Sequence, residues 1–410
     1  MEFREHTLDN GLQIIAECND EVHTAALGFF VRTGARDESD KIAGVSHFLE
    51  HMLFKGTPSR TAEDVNREFD ELGASPNAFT SQELTVYHTP YLPEYQTRIL
   101  EIWADCMRPS LRTEDFDVEK KVIVEEIRMY QDQPPYGAFD EILQLHFRDH
   151  PLARSVLGTV ESITDLEVTD MRSYFEARYC PSNITLVGAG RIDFETFIAA
   201  AARTCGHWES REAPRETPPA AACVSSRHVD VKATSTQEYL LMLSNAPPAD
   251  DPRRYTAKLI GSMLGDDSGS RLYWELIDTG LAEFVSLGHE DYQGAGVFCT
   301  YAGCQPEAVS QTIEKIEAVF RDVEQNGFTE EELQRAKSKA TSRLVLSSER
   351  PRSRLFSVGG CWLQQGAYRT VKQEIDAFRS VTVEDANQLL RDFPFTETTM
   401  LAVGPLAELP

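Results

Sequence analysis

Two segments of the chain, one in each half, share the same order of residue types. Residues 166–190, LEVTDMRSYFEARYCPSNITLVGAG, resemble residues 381–404, VTVEDANQLLRDFPFTETTMLAVG. Each copy has a cap-like residue before an aspartate, then a helical pattern, then an apolar strand that ends in glycine. The aspartate precedes the final glycine by 20 residues in the first copy and by 19 in the second. Such a repeat indicates duplication, and 410 residues are too many for one ordinary core, so we predict two similar domains.

The best candidate for a connection between these domains is residues 209–222, ESREAPRETPPAAA. Their high content of proline, alanine and charged residues is typical of linkers. We therefore place a boundary near residue 215, with domains at residues 1–215 and 216–410. Strands and helices occur in runs within each half rather than in strict alternation. This arrangement favours an α+β fold, in which each domain has a mostly antiparallel sheet with helices packed on one face.

Charge and cysteine content exclude several classes of protein. The formal net charge of −26 would repel a nucleic-acid backbone or an anionic membrane surface. No apolar run approaches the roughly 18 residues that a membrane-spanning helix needs. We therefore expect no nucleic-acid partner and no membrane partner. The eight cysteines form no C-x-x-C pair, which argues against a disulfide framework and against a thiolate zinc site. We predict reduced thiols and a cytoplasmic protein.

Local patterns predict the elements that carry the candidate site. Apolar residues recur with helical spacing in four segments, at residues 43–54, 61–72, 93–107 and 113–131. Thr61 is placed to cap the second of these helices. Residues 77–91, NAFTSQELTVYHTPY, are rich in threonine, tyrosine, valine and phenylalanine, which indicates two strands.

The first predicted helix contains the sequence HFLEH at residues 47–51. Residues at i and i+4 lie on one helix face, about 6 Å apart, so His47 and His51 can present both imidazoles to one metal ion. Glu50 lies beside them. A catalytic zinc requires protein ligands, an open position for water and a base, and H-x-x-E-H is the signature of inverted zinc peptidases. The alternative is a surface helix that carries a solvated or capped histidine pair.

The predicted helix at residues 113–131 contains candidates for a third metal ligand. Glu119 and Glu126 are two turns apart on one face of this helix, whereas Glu125 is rotated by about 100° from Glu126. Such a pair can place one carboxylate on a metal and use the other to orient a ligand or the base. The alternative is a solvated acidic helix, whose glutamates pair with neighbouring lysine and arginine side chains.

Several longer blocks of sequence occur in one order and are more specific than HFLEH alone. They are NGLQIIAE, GVSHFLEHMLFKGT, GASPNAFTSQELTVYH, EKKVIVEEIRMYQDQP and HPLARSVLGTVESI. Together they resemble the pitrilysin, insulin-degrading enzyme and mitochondrial processing peptidase family of zinc peptidases, over most of the chain. The resemblance implies a half-size, bacterial-type member that folds as a duplicated half-clamshell. A zinc-binding catalytic domain would be followed by a related domain that contributes to a substrate chamber and to dimer contacts.

The resemblance also implies a role for each residue of the motif. His47, His51 and Glu126 would be the ligands of one Zn²⁺ per chain. Glu50 would be the general base that, together with zinc, activates the attacking water. Glu119 would be the second helix carboxylate that supports the catalytic site. The chain would therefore be a zinc metalloendopeptidase.

The substrate-binding residues implied by the resemblance are Asn77, Ala78, Phe79 and Thr80. They would form an edge strand to which an extended peptide substrate adds as a further strand. Because this pairing uses the main chain, it tolerates many substrate sequences. The alternative is an ordinary edge strand without a ligand.

The second half of the chain departs from the family pattern. Family members often contain SRL, then an arginine, then G-L-A-Y, and the arginine and tyrosine are the expected clamp for the substrate carbonyl. The segment SRLYWELIDTGLAEFV has Ile277 at the arginine position and Glu283 at the tyrosine position. Three explanations are open. A second family subunit supplies the clamp, with a heterodimer favoured over a homodimer; Arg271, Tyr273 or another nearby group replaces it; or the enzyme acts slowly on particular substrates.

Two readings from other classes compete with a peptidase. One is a non-catalytic structural subunit, like the core subunits of respiratory complexes that share this fold. Such subunits usually lose ligand residues, whereas this chain retains them. The other is a peptide-binding module with a structural zinc ion. Structural zinc sites usually have four protein ligands, whereas three ligands and a base leave one position open.

Overall fold

The structure is a computed structural model of the chain, and it describes residues 1–132, 135, 137–218 and 224–409. Contacts between Cα atoms divide the chain into two compact units. Unit 1 comprises Met1–Arg128, Arg154–Glu216 and Leu346–Arg369, and unit 2 comprises Met129–Ala153, Thr217–Val345 and Thr370–Pro410. Each unit contains one β-sheet and its own apolar core. The predicted α+β fold with two sheet-and-helix domains is confirmed.

Unit 1 contains a six-stranded sheet in the order β1-β2-β6-β3-β5-β4. Its strands are β1 (Glu2–Thr7), β2 (Gln13–Cys18), β3 (Ala25–Val31), β4 (Asn77–Thr80), β5 (Thr85–Tyr91) and β6 (Ile184–Gly190). Within this sheet β2 and β6 pair in parallel, and the other neighbours are antiparallel. All residues of β3 and β6 are buried, as expected for central strands that are covered on both faces. In contrast, β4 alternates exposed and half-buried residues at the edge of the sheet.

Unit 2 contains a five-stranded sheet in the order β7-β11-β8-β10-β9. Its strands are β7 (Ser226–Val231), β8 (Glu238–Asn245), β9 (Phe284–Tyr292), β10 (Ala295–Cys304) and β11 (Thr399–Gly404). Strand β11 is parallel to β7 and antiparallel to β8, just as β6 is parallel to β2 and antiparallel to β3. The two repeated segments end in β6 and β11. The duplication predicted from the sequence therefore places the same kind of strand at the same position in both sheets.

The first four helices correspond to the four segments predicted from local patterns, and the structure describes 14 α-helices in all. They are α1 (Val45–Leu53), α2 (Ala62–Glu71), α3 (Gln96–Cys106), α4 (Thr113–Asp132), α5 (Ala138–Phe147), α6 (Val160–Asp165), α7 (Val168–Arg178), α8 (Phe194–Cys205), α9 (Arg254–Gly265), α10 (Val309–Asn326), α11 (Glu330–Ser348), α12 (Pro351–Gln365), α13 (Val371–Ser380) and α14 (Val383–Asp392). Thr61 caps α2, because its side chain accepts a hydrogen bond from the backbone N–H of Asp64. Each repeated segment forms a helix, α7 or α14, before its strand.

Most helices of each unit lie on one face of its sheet, but each opposite face is covered by a helix from the other half of the sequence. In unit 1, Leu355 and Val358 of α12 pack against Phe30 of β3. In unit 2, residues of α5 pack against Leu241 and Leu243 of β8. The chain passes from unit 1 to unit 2 after Glu216, next to the boundary predicted near residue 215. However, α5 lies in the first half of the sequence and belongs to unit 2, whereas α12 lies in the second half and belongs to unit 1. An amphipathic pattern in the sequence shows that a helix packs against an apolar surface, but it does not show which of the two sheets provides that surface.

The middle of the segment predicted as a linker is bound to unit 1. The Arg215 side chain donates from Nε to Asp37 over 2.8 Å, and Arg178 donates to the Pro214 carbonyl over 2.8 Å. Residues 219–222 of the predicted linker lie outside the described residues, as does Cys223. The seven described cysteines are free thiols. Within the described ranges, no helix combines the length and the apolar character needed to cross a membrane.

Helix α12 approaches β3 so closely that Gly359 has no room for a side chain. A Cβ atom at this position would lie 2.5 Å from Cε1 of the buried Phe30 ring, whereas a Cβ atom at Gly360 would meet nothing within 4 Å. We expect Gly360→Ala to stabilise the protein by about 0.5–1 kcal/mol, the usual gain in a helix interior. Gly359→Ala should instead destabilise it by about 1–2 kcal/mol, because overpacking exceeds that gain. Urea unfolding of both variants measures the difference, and equal midpoints would contradict the close packing.

Candidate metal centre and active site

Helix α1 begins where two backbone segments are in contact. Gly44 precedes the helix with a left-handed backbone (φ 89°), and a Cβ atom there would lie 2.5 Å from the carbonyl oxygen of Leu157. A Cβ atom at Gly158 would lie 2.3 Å from the carbonyl oxygen of Ala43. Only glycine suits these positions, because both have a positive φ, 89° at Gly44 and 72° at Gly158, and neither has room for a side chain. The block HPLARSVLGTVESI therefore contributes the surface that positions the start of α1.

A buried carboxylate also holds this end of α1. Glu38 accepts hydrogen bonds from the backbone N–H groups of Gly44, over 2.6 Å, and Ser46, over 2.7 Å. These groups have no partner within the helix. Burial raises the pKa of Glu38 to about 8, and the hydrogen bonds from Ser46 and Gly44 offset this change only in part. Sequence reasoning missed Glu38, because nothing in the local pattern connects it to a helix that begins several residues later.

The side chains of His47, His51 and Glu126 converge. The two imidazole rings are 4.7 Å apart between centroids. The Oε2 atom of Glu126 lies 3.9 Å from Nε2 of His47 and 3.8 Å from Nε2 of His51. One possible ligand atom from each residue lies within 4.8 Å of the others, and this is the group of metal-binding side chains found among the described residues. Ligand atoms on a tetrahedral zinc ion are roughly 3.3–3.5 Å apart, so the three side chains suit such an ion with small adjustments.

Glu119 contacts His51 from the side opposite to Glu126. Its Oε1 atom accepts a hydrogen bond from Nδ1 of His51 over 2.8 Å, and its Oε2 atom lies 2.6 Å from Nζ of Lys55. With the proton on Nδ1, the lone pair of Nε2 is available to a metal ion. Burial raises the pKa of Glu119, but the hydrogen bonds from His51 and Lys55 outweigh it and lower the pKa overall. Lys55 was missed by sequence reasoning, although it follows His51 by four residues.

The protonation of the cluster is consistent with a site for a cation. Burial lowers the pKa of His47 to about 3, so its imidazole is neutral at neutral pH, as a ligand must be. Burial also lowers the pKa of His51, but the hydrogen bond to Glu119 and the charge of Glu126 outweigh it and raise the pKa overall. Burial raises the pKa of Glu126, which the charge of His51 only partly offsets. A positive charge beside the half-buried carboxylate of Glu126 would stabilise its ionised form, and a divalent metal ion supplies such a charge.

Glu50 is on the same helix and binds a different partner. Its Oε2 atom accepts a hydrogen bond from the Thr80 hydroxyl over 2.5 Å. Burial raises the pKa of Glu50, and the hydrogen bond from Thr80 opposes this change. A carboxylate with a raised pKa beside a candidate metal centre is suited to accept and return a proton.

The predicted residues 77–80 form β4, the edge strand beside β5. Ala78 packs against the same apolar core as α1, and the side chain of Thr80 reaches Glu50 on α1. Phe79 points to the other face, where its ring is 5.8 Å from that of Phe356 on α12, and it remains 40% exposed. One edge of β4 is therefore unpaired within the sheet and adjacent to the helix that carries Glu50.

Arg271, one of the candidates for the missing clamp in unit 2, is engaged in contacts with neighbouring residues. Its guanidinium donates to both carboxylate oxygens of Glu332, to Asp322 and to the carbonyl of Gly327, over 2.7–3.1 Å. These contacts do not favour Arg271 as a replacement clamp. Ile277 ends a π-helical turn at Tyr273–Ile277, and Glu283 accepts a hydrogen bond from Gln305.

Comparison with known proteins connects this geometry to a family. A family model described as Insulinase (Peptidase family M16) matches residues 13–160, and one described as Peptidase M16 inactive domain matches residues 165–340. The chain is 30% identical to a protein named uncharacterized zinc protease YmxG from Bacillus subtilis, and the alignment covers 100% of both chains.

Two solved structures have the same fold. A protease from Helicobacter pylori matches with a TM-score of 0.93 at 20% identity, over 98% of this chain and 99% of the other. A chain of Complex III2 from Candida albicans matches with a TM-score of 0.84 at 16% identity, over 99% and 97% of the two chains. Two consecutive family models and a relative matched from end to end show that the chain belongs to peptidase family M16, the insulinase family, in agreement with the sequence resemblance.

Proposed function

We propose that the chain is a zinc-dependent endopeptidase that hydrolyses peptides or unfolded segments. His47, His51 and Glu126 would hold one Zn²⁺ per chain, and Glu50 would act as the general base. The observation that carries this proposal is the convergence of two imidazole nitrogens and one carboxylate oxygen within 4.8 Å of one another. Three protein ligands leave a position open on a four-coordinate ion, as in catalytic zinc sites.

Three charged side chains near the proposed ligands, Glu50, Glu119 and Lys55, would contribute to this chemistry. When bound, zinc supplies a Lewis acid that polarises a carbonyl group and acidifies water. Glu50 accepts the proton of the attacking water and returns it to the leaving nitrogen. Glu119 holds the Nδ1 proton of His51 and so directs Nε2 towards Glu126. Lys55 balances the charge of Glu119.

The proposed substrate is an extended peptide that adds to β4. This strand is an edge of its sheet, so its outer N–H and C=O groups can pair with a peptide backbone. Thr80 and Ala78 face α1, so a peptide paired with β4 would run beside the helix that carries Glu50. Main-chain pairing supplies affinity without requiring one substrate sequence.

The alternative function is a partner-dependent or non-catalytic subunit of a heteromeric processing peptidase. It is favoured by Ile277 and Glu283 at the two clamp positions and by the contacts that occupy Arg271. The similarity of the fold to a chain of Complex III2 is consistent with a subunit role. We propose that a second family subunit supplies the clamp, in a heterodimer rather than a homodimer. Retention of both histidines and of all three glutamates supports catalysis in this chain.

Removal of the metal separates these functions. We expect the purified protein to contain about one zinc per chain by elemental analysis and to cleave a quenched fluorescent peptide. A chelator should abolish cleavage, and added Zn²⁺ should restore it. Protein without zinc, or zinc-loaded protein whose cleavage is insensitive to chelator, would overturn the proposal. Zinc-loaded protein that cleaves only after addition of a second family subunit would favour the partner-dependent alternative, and its mass by light scattering would show the assembly.

A further inference from the structure

We propose that the hydroxyl group of Thr80 is a positioning group for Glu50 and that it couples the docking of a peptide on β4 to the placement of the general base. This inference rests on the proposed function, because it concerns the same reaction. In this proposal the side chain of Thr80 binds the carboxylate of Glu50, while the backbone of Thr80 remains available to pair with the substrate.

The first argument is the hydrogen bond itself. The Thr80 hydroxyl donates to Oε2 of Glu50 over 2.5 Å, in a partly buried environment. Among the described residues, Thr80 is the sole hydrogen-bond partner of this carboxylate. A glutamate side chain has three rotatable bonds, and a short bond from a hydroxyl to a carboxylate is among the stronger hydrogen bonds in proteins. Without the Thr80 hydroxyl, the described residues would leave the carboxylate of Glu50 with no hydrogen bond to hold its orientation.

The second argument is the place of Thr80 in the sheet. It is the last residue of β4 and pairs with Thr85 of β5, whose own hydroxyl donates to the carbonyl of Thr33 over 3.0 Å. The position of Thr80 is therefore fixed from one side by the sheet. The other side of β4 is the edge on which a peptide would add. Pairing with a peptide would order β4 from both sides, and so order the hydroxyl that holds Glu50.

The third argument concerns the alternation of side chains along β4. Phe79 points to the opposite face, towards Phe356 of α12, whereas Thr80 points to α1. A threonine at residue 80 therefore reaches Glu50, and one at residue 79 could not. Because geometry within a fraction of an ångström controls proton transfer, loss of this bond should lower kcat more than it raises KM.

The test compares Thr80→Val, which keeps the shape and removes the hydroxyl, with Thr80→Ser, which keeps the hydroxyl. Thr7→Val, on the exposed end of the opposite edge strand β1, is the matched control. We expect Thr80→Val to lower kcat about 10–100-fold with KM changed less than about 3-fold, the effect of one hydrogen bond to a charged group. Thr80→Ser should restore most of kcat, and Thr7→Val should match the parental protein.

Two further measurements distinguish positioning from damage to the site. Zinc content and the absorption spectrum of the Co²⁺-substituted protein should be the same in all four proteins. A crystal structure of Thr80→Val should show the Glu50 carboxylate turned from its parental position. Unchanged kcat in Thr80→Val, equal loss in Thr80→Ser, or loss of metal in Thr80→Val would each overturn the inference. If the parental protein itself does not cleave peptides, the proposed function fails, and the crystal structures still decide whether Thr80 holds Glu50.

Discussion

Replacement of Glu50 by glutamine should lower kcat for peptide cleavage by about 10²–10⁴-fold, the usual contribution of a general base. The amide has nearly the shape of the carboxylate, but it cannot accept the proton of the attacking water. Zinc content should not change, because Glu50 is directed to Thr80 and is not one of the three convergent ligand side chains. The measurement is steady-state kinetics on a quenched fluorescent peptide, with elemental analysis of the same preparation.

The matched control for this change is Glu63→Gln in the first turn of α2. Glu63 is an exposed glutamate on a neighbouring helix, so its change should leave both kcat and zinc content at parental values. Parental turnover in Glu50→Gln would refute the role assigned to Glu50. Loss of zinc in that variant would show instead that Glu50 is a ligand, and would require a different assignment of the base.

The second large effect is expected at Glu126. Glu126→Gln should release most of the zinc at micromolar protein concentration, and cleavage should disappear with it. A neutral amide is a poor substitute for a carboxylate ligand, and Glu126 is the acidic member of the convergent group. Isothermal titration of metal-free protein with Zn²⁺ measures the affinity directly, without reference to activity.

Two other glutamates on α4, Glu125 and Glu119, serve as comparisons for the effect of Glu126→Gln on zinc affinity. Glu125 is exposed and paired with Arg128, so Glu125→Gln should bind zinc as the parental protein does. Glu119→Gln should have an intermediate effect, a loss of about 10–100-fold in affinity, as is usual for a residue that orients a ligand. Equal zinc affinities for the Glu125 and Glu126 variants would contradict the proposed ligand set.

Much of this site could be predicted because its parts are local. His47, Glu50 and His51 are placed together by one helical turn, and Glu119 and Glu126 by two turns of another helix. Helix periodicity depends on the pattern within each segment, which the sequence displays. The two carboxylates of α4 could not be distinguished by spacing alone. The structure separates them, since Glu119 contacts Nδ1 of His51 and Lys55, whereas Glu126 faces the two Nε2 atoms.

The supporting contacts could not be predicted, because they join segments that are distant in the chain. Thr80 is predicted to bind substrate through its strand, and the pattern gives no sign that its side chain also donates a hydrogen bond to Glu50. Glu38 and Gly158 hold the start of α1, although neither belongs to the helix. Arg271 is a candidate clamp by its place in the sequence, but in the structure its guanidinium is engaged by Glu332 and Asp322.

The duplication, the α+β class and the histidine pair with a glutamate on one helix can all be predicted from the sequence. These properties follow from periodicity and from repetition, which are local. The three-dimensional structure is needed to show which carboxylate faces the imidazoles, what holds Glu50, and which sheet α5 and α12 each cover. Such contacts depend on how distant surfaces fit together, since an apolar stripe specifies that a helix is buried but not which partner buries it.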